Sequence, residues 1–140
     1  MLAGLLLTGC GRSEESSNNV AAEPSIAPVA ALASYAGVGR DRLCLAEADG
    51  PAGLVTYGEG DANCSLRGTV QRAGSKLTII PEGDAACRID ATVTGDGVTL
   101  GAQGSACSYY CGPTASFAGR SFTRMERPEP ATDLTGEPLC

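Results

Sequence analysis

From about Tyr35 onward the chain alternates apolar and polar residues with a period of two. In the stretch from Cys64 to Gln71, Cys64, Leu66, Gly68 and Val70 form one set and Ser65, Arg67, Thr69 and Gln71 the other. The stretch from Cys87 to Thr94 divides the same way, with Cys87, Ile89, Ala91 and Val93 opposing Arg88, Asp90, Thr92 and Thr94. Successive side chains of a strand point to opposite faces, so this is the pattern of a sheet with one face buried. Leu77 with Ile79, and Val98 with Leu100, supply returning strands. Between them, Thr94-Gly95-Asp96-Gly97 is a tight-turn sequence, because glycine accepts the positive φ that hairpin turns require.

The alternation is part of an internal repeat. Tyr57-Gly58-Glu59-Gly60-Asp61-Ala62-Asn63-Cys64 aligns with Ile80-Pro81-Glu82-Gly83-Asp84-Ala85-Ala86-Cys87, and more loosely with Gly104-Ser105-Ala106-Cys107. Cys44, Cys64, Cys87 and Cys107 therefore recur at spacings of 20, 23 and 20 residues. Each unit reads as a hairpin, and successive hairpins make an antiparallel meander. Strands are predicted near 41–47, 53–58, 64–71, 76–81, 87–94, 97–101, 107–111 and 116–124, about eight in all. Roughly eight strands suffice to close a barrel around its own side chains. An open sheet would need an amphipathic helix to cover its apolar face, and none long enough is present. The expected fold is all-β, a small antiparallel meander or closed barrel cross-linked by disulfides.

Composition narrows the function. The 140 residues carry a net charge of −6, no histidine and no tryptophan, and only four tyrosines and two phenylalanines. Without histidine the chain lacks the commonest general base and a principal zinc ligand, so it reads as a non-enzyme with no cofactor and no metal site. Serine positions have no histidine base to activate them. The acidic balance argues against nucleic acid, whose binding needs a surplus of Lys and Arg on one face. The sparse aromatic content predicts a thin aliphatic core in which cross-links supply stability that packing does not.

The N-terminus supplies an address. Met1 to Thr8 is a short apolar stretch ending in Leu7-Thr8-Gly9-Cys10, after which Gly11-Arg12-Ser13-Glu14-Glu15 turns abruptly polar. This resembles the lipobox of bacterial lipoproteins. The resemblance implies that Leu7, Thr8 and Gly9 are recognised by the signal peptidase and that Cys10 is acylated and becomes the first residue of the mature chain. Secretory signals open with Lys or Arg, yet no basic residue precedes Arg12, which implies either a start placed too late or a signal truncated at its N-terminal side. Gly11 in place of Asp, by resemblance to enterobacterial lipoproteins, implies the outer membrane and a periplasm-facing domain, with the inner membrane and the cell surface left open. Acyl chains at about 0.8 kcal/mol per buried methylene hold such a chain on the bilayer without a spanning helix.

The organisation that follows is a signal peptide over 1–9, a lipidated cysteine and flexible tether over 10–34, a β-domain over 35–126 and a proline-rich tail over 127–140. The tether is rich in Ser, Asn, Ala and Glu, with Pro24 and Pro28 interrupting any long helix. Residues 30–34 offer at most one helical turn, too short to stand alone.

Setting Cys10 aside leaves Cys44, Cys64, Cys87, Cys107, Cys111 and Cys140, an even number in a chain directed outside the cytoplasm, where disulfides form. The spacing suggests Cys44 with Cys64, Cys87 with Cys107 and Cys111 with Cys140, the last pinning the tail to the barrel. Cys107 closing on Cys111 is the alternative. Cysteines opening alternate strands lie about 9–10 Å apart, beyond disulfide reach, so the pairing requires curved loops.

Three further features bear on function. Cys107-Ser108-Tyr109-Tyr110-Cys111-Gly112-Pro113 looks like the start of a thioredoxin active site, but position 114 is Thr where a resolving cysteine is needed. Tyr109 and Tyr110 read as a strand with one ring inward and one outward. The Glu59-Gly60-Asp61 and Glu82-Gly83-Asp84 turns lack the ligand spacing of a calcium loop and read as solvated turns. Arg120, Phe122 and Arg124, with Phe117, Met125 and Arg127 beside them, form the one basic and aromatic concentration and a candidate contact face. The expected function is a monomeric, membrane-anchored envelope lipoprotein whose β-domain binds or inhibits a periplasmic protein or glycan. Small β-barrel lipoproteins that inhibit lysozymes are similar in size, anchor and disulfide use, although no stretch here matches their inhibitory motif. The alternative is a thiol-disulfide or metal-handling protein acting through Cys107 and Cys111.

Overall fold

A computed structural model of the chain describes residues 31–140. Eight strands follow one another: β1 Leu32–Ala36, β2 Arg42–Ala46, β3 Gly50–Tyr57, β4 Asn63–Ala73, β5 Lys76–Pro81, β6 Ile89–Thr94, β7 Gly97–Leu100 and β8 Ser121–Arg124. Each is antiparallel to the next, and β8 returns to β1 by pairing Arg124 with Tyr35 and Thr123 with Ala36. The meander is a closed barrel, which leaves none of these strands with an open edge.

The period of two sets the interior. Cys64, Leu66 and Val70 of β4, Leu77 and Ile79 of β5, Ile89 and Ala91 of β6, and Val98 and Leu100 of β7 are buried in one core with Leu43, Leu45, Leu54 and Phe122. Each such Leu or Ile contributes about 1.5–3 kcal/mol by leaving water.

Three segments depart from the sequence reading. Leu32–Ala36 is a strand rather than the end of the tether or a helical turn, because it pairs along its length with β2 and points Ala33 and Tyr35 into the core. Residues 107–111, expected as a strand, lie largely in a 3₁₀ helix, Ser105–Tyr110. The reason is reach. Cys107 is bonded to Cys87, two residues before β6, and Cys111 to Cys64 in β4. Strands two apart lie about 9–10 Å from one another; four residues of 3₁₀ helix advance about 8 Å, whereas four extended residues would advance about 13 Å. The expected strand over 116–124 is correspondingly reduced to Ser121–Arg124.

The barrel's two ends differ. Residues 47–49, 74–75 and 95–96 make short turns at one end, where Ala31 also enters β1. Residues 37–41, 58–62, 82–88 and 101–120 make the longer connections at the other. The segment 127–140 crosses the outer surface of β2 and β3, where Ala131 and Leu139 pack on the outward-pointing Cys44 and Val55. It is fixed by a Cys44–Cys140 disulfide.

Candidate binding face at the long-loop end

The repeated Glu-Gly-Asp turns are repeated in backbone as well as in sequence. Gly60 has φ +59° and Gly83 φ +73°, the left-handed conformation that only glycine adopts freely, at matching positions of the two copies. Each turn leads to a cysteine, and both cysteines are bonded to the 101–120 connection: Cys64 to Cys111 with Cα atoms 3.9 Å apart, and Cys87 to Cys107 at 4.8 Å. The 3₁₀ segment is thereby clamped between two equivalent acidic turns.

Hydrogen bonds complete the clamp on both sides. The Tyr110 hydroxyl donates to Asp84 Oδ2 at 2.7 Å. On the other side, Glu59 N donates to Thr114 Oγ1 at 2.9 Å and Gly112 N to the Asn63 carbonyl at 2.9 Å. Thr114 holds φ at +68°, the one non-glycine residue in that region among the described residues. A Cβ at Gly58 would lie 2.6 Å from Thr114 Oγ1, so the close approach requires glycine there. Below the clamp, Cys107 and Phe117 are fully buried and close the barrel mouth. Gln103 Oε1 accepts from Phe117 N at 2.7 Å and from Ser116 Oγ at 3.2 Å, and Thr56 Oγ1 donates to the Ser116 carbonyl at 3.0 Å.

Above the clamp, Tyr109 is 85% exposed, its ring edge-on to Tyr110 with centroids 5.1 Å apart. At the same end Val38 is 81% exposed on the β1–β2 turn. Arg40 from that turn stacks 3.9 Å over the Tyr57 ring and pairs with Asp61 at 3.2 Å. The Tyr110 bond stabilises the Asp84 carboxylate and lowers its pKa, while the same bond, then burial and the nearby charge, push the Tyr110 phenol up to about 12. Among the described residues, no three potential metal ligands gather.

All six cysteines of 31–140 are paired, but two of the three expected pairings are replaced. Cys87–Cys107 is present; Cys44 joins Cys140 instead of Cys64, and Cys111 joins Cys64 instead of Cys140. Cys44 on β2 and Cys64 on β4 are separated by β3, and Cys44 points out of the barrel whereas Cys64 points in. Cys107 and Cys111 are held by different partners and not by each other, so they do not form the dithiol that redox chemistry at this stretch would use.

The structure does not bring Arg120, Phe122 and Arg124 together as one exposed surface. Phe122 of β8 is buried in the core, whereas Arg120, just before β8, and Arg124, at its end, are partly exposed. Arg120 lies at the long-loop end, bound to Asp41, and Arg124 at the opposite end, bound to Glu47 at 3.0 Å. Cys10 lies outside the described residues. Val38 sits in a short glycine-flanked turn and Thr114 in a loop with no periodicity, so neither carries a local sequence signal. The available signal was the two Glu-Gly-Asp-Ala-x-Cys copies set against the paired cysteines of 107–111.

No family model matches the chain, and no curated protein or solved structure matches it either.

Proposed function

We propose that the chain is a lipid-anchored envelope protein whose barrel binds a periplasmic or cell-wall component without catalysis, through the long-loop end. The observation that carries this reading is the clamp: two of the three disulfides hold one 3₁₀ segment with Tyr109 facing water. Aromatic side chains with little freedom to lose are efficient anchors for recognition, and loops on a rigid scaffold are where binding residues concentrate. Glu59, Glu82 and Asp84 beside the clamp favour a partner that presents Lys or Arg, in keeping with the net charge of −6. Ala31 enters the barrel at the short-turn end. With Cys10 acylated, the anchor attaches there and the binding end points to the opposite pole.

The test is affinity capture from envelope extract with the acylated protein, in parallel with Tyr109→Ala and with Thr99→Ala on the outer barrel wall. The expected outcome is a partner retained by the parent and by Thr99→Ala, weakened at least about tenfold by Tyr109→Ala and weakened further as salt rises. Capture that is indifferent to Tyr109, or that returns no protein, glycan or lipid, refutes the reading.

A further inference from the structure

The 127–140 strap plays no part in the clamp. Its disulfide differs from the other two in access: Cys64, Cys87 and Cys107 are fully buried and Cys111 half-buried, whereas Cys140 is exposed. Cys140 also stands between two depressions on the outer barrel surface. One, of about 260 Å³, is lined by Leu32, Cys44 and Ala131 among others; the other, of about 360 Å³, by Pro51, Gly68 and Leu139 together with Arg67, Thr69 and Glu82. Cys140 lines both. Apart from the disulfide, the strap is held by two buried apolar side chains, Ala131 and Leu139, and by peripheral polar contacts. These are the Ser34–Glu129 pair, Arg42 with Glu129 at 3.0 Å, Arg67 donating to the Pro138 carbonyl at 2.6 Å and the long, exposed Arg67–Glu137 ion pair at 3.9 Å.

We propose that Cys44–Cys140 is a thiol-exchange latch. A dithiol reductant opens it, and the strap then lifts so that the two depressions merge into one apolar groove over β2 and β3. Exchange proceeds by attack of a thiolate on an accessible sulfur. One reductant thiolate attacks Cys140 Sγ, forming a mixed disulfide as the bond to Cys44 breaks, and Cys44 leaves as a thiolate that takes up a proton. The second reductant thiol, deprotonated, attacks the reductant's own sulfur in the mixed disulfide, and Cys140 leaves as a thiolate and is protonated. The products are two protein thiols and one reductant disulfide. The uncovered surface carries Val55 and Cys44, and Gly53 where Leu139 had lain.

The experiment treats the full chain with graded dithiothreitol, traps thiols with an alkylating agent and maps the labelled peptides. Hydrogen exchange, far-UV circular dichroism and binding of the dye 8-anilinonaphthalene-1-sulfonate are followed on the same samples. The expected result is labelling of Cys44 and Cys140 at roughly tenfold lower dithiothreitol than Cys64, Cys87, Cys107 and Cys111 of the other two pairs. At that point residues 129–139 lose exchange protection, dye fluorescence rises several-fold and the barrel's dichroism is unchanged. Cys44→Ala/Cys140→Ala should show the same dye binding with no reductant. Labelling of the buried pairs first or together with this one, an unchanged strap after reduction, or loss of the barrel's dichroism at the same concentration would each overturn the proposal.

Discussion

Arg120 Nη1 lies 2.6 Å from Asp41 Oδ2, and its neighbour Nη2 donates to the Tyr57 carbonyl at 2.9 Å. Asp41 also accepts from Tyr57 N at 2.9 Å, so the three residues close a ring that joins the β1–β2 turn to β3 and to the end of the 101–120 connection. The Asp41 side chain is 3% exposed and that of Arg120 27%. Removing one member of a buried pair strands the other's charge, which is costlier than never having had the pair.

Arg120→Met is therefore expected to destabilise the barrel by about 3 kcal/mol, at the low end for a broken buried pair because the guanidinium is partly solvated. Adding Asp41→Asn should restore part of that loss, since the stranded charge is then gone. Urea denaturation of the two single variants and the double variant measures the coupling. Equal costs for Arg120→Met with and without Asp41→Asn would show that the pair does not act as argued.

Gly53 sits directly beneath the strap, and a Cβ there would fall 2.6 Å from Leu139 Cβ and closer still to the Leu139 carbonyl. Gly53→Val should push Leu139 off the surface at a cost of about 1–3 kcal/mol, the range for overpacking. The barrel interior is untouched because residue 53 points outward. Denaturant titration checks the stability, and faster reduction of Cys44–Cys140 checks that the displaced element is the strap.

How far the sequence specified this structure depends on what each residue's role requires. Leu66, Val70, Leu77, Ile79, Ile89 and Leu100 announce their burial through alternation alone, because a strand with one wet face has no other way to arrange them. Leu32–Ala36 was silent: its alternation is brief and alanine-rich, and it becomes a strand through pairing with β2 and β8. The disulfides were misassigned where facing mattered. Equal spacing suggested Cys44 with Cys64, but one points out and the other in, a distinction that follows from the register of β3 between them. Alternation gives sidedness without saying which side holds the core: Phe122 turns into the core, while Arg120 and Arg124 are held by Asp41 and Glu47 at opposite ends of the barrel. The clamp depends on contacts between Cys64 and Cys111 across 47 residues, which no local pattern carries.

The Tyr110–Asp84 bond has a pH signature at each end of the scale. Asp84 has a lowered pKa when folded, so its contribution is present above the unfolded carboxylate range and is lost as pH falls through the folded value. Tyr110 is an acid whose pKa is raised from 10.0 to about 12, so its contribution is complete below 10.0 and is lost as pH rises toward 12. Spectrophotometric titration should find a phenol ionising near 12 that Tyr110→Phe removes. Asp84→Asn should bring that phenol back toward 10.0, because the bond to Asp84 is the largest cause of the shift. A late phenol that survives both variants would place the perturbation elsewhere.

The clamp makes its own demand on stability and binding. In the chain-entropy account, closing the 47-residue separation between Cys64 and Cys111 stabilises the fold by about 4 kcal/mol. Cys64→Ala/Cys111→Ala should cost roughly that much, while Tyr109→Ala, at an exposed position, should stay within about 0.5 kcal/mol of the parent. Both should lose partner affinity for different reasons: the first because the 3₁₀ segment must be ordered at the moment of binding, the second because the anchor ring is gone. Tyr109→Phe separates these contributions, since it keeps the ring and the clamp and removes only the hydroxyl. Calorimetric binding of the captured partner to the parent, the two alanine variants and Tyr109→Phe decides between them. If the ring is the anchor, Tyr109→Phe retains most of the affinity; if it loses as much as Tyr109→Ala, the hydroxyl rather than the aromatic surface carries the contact.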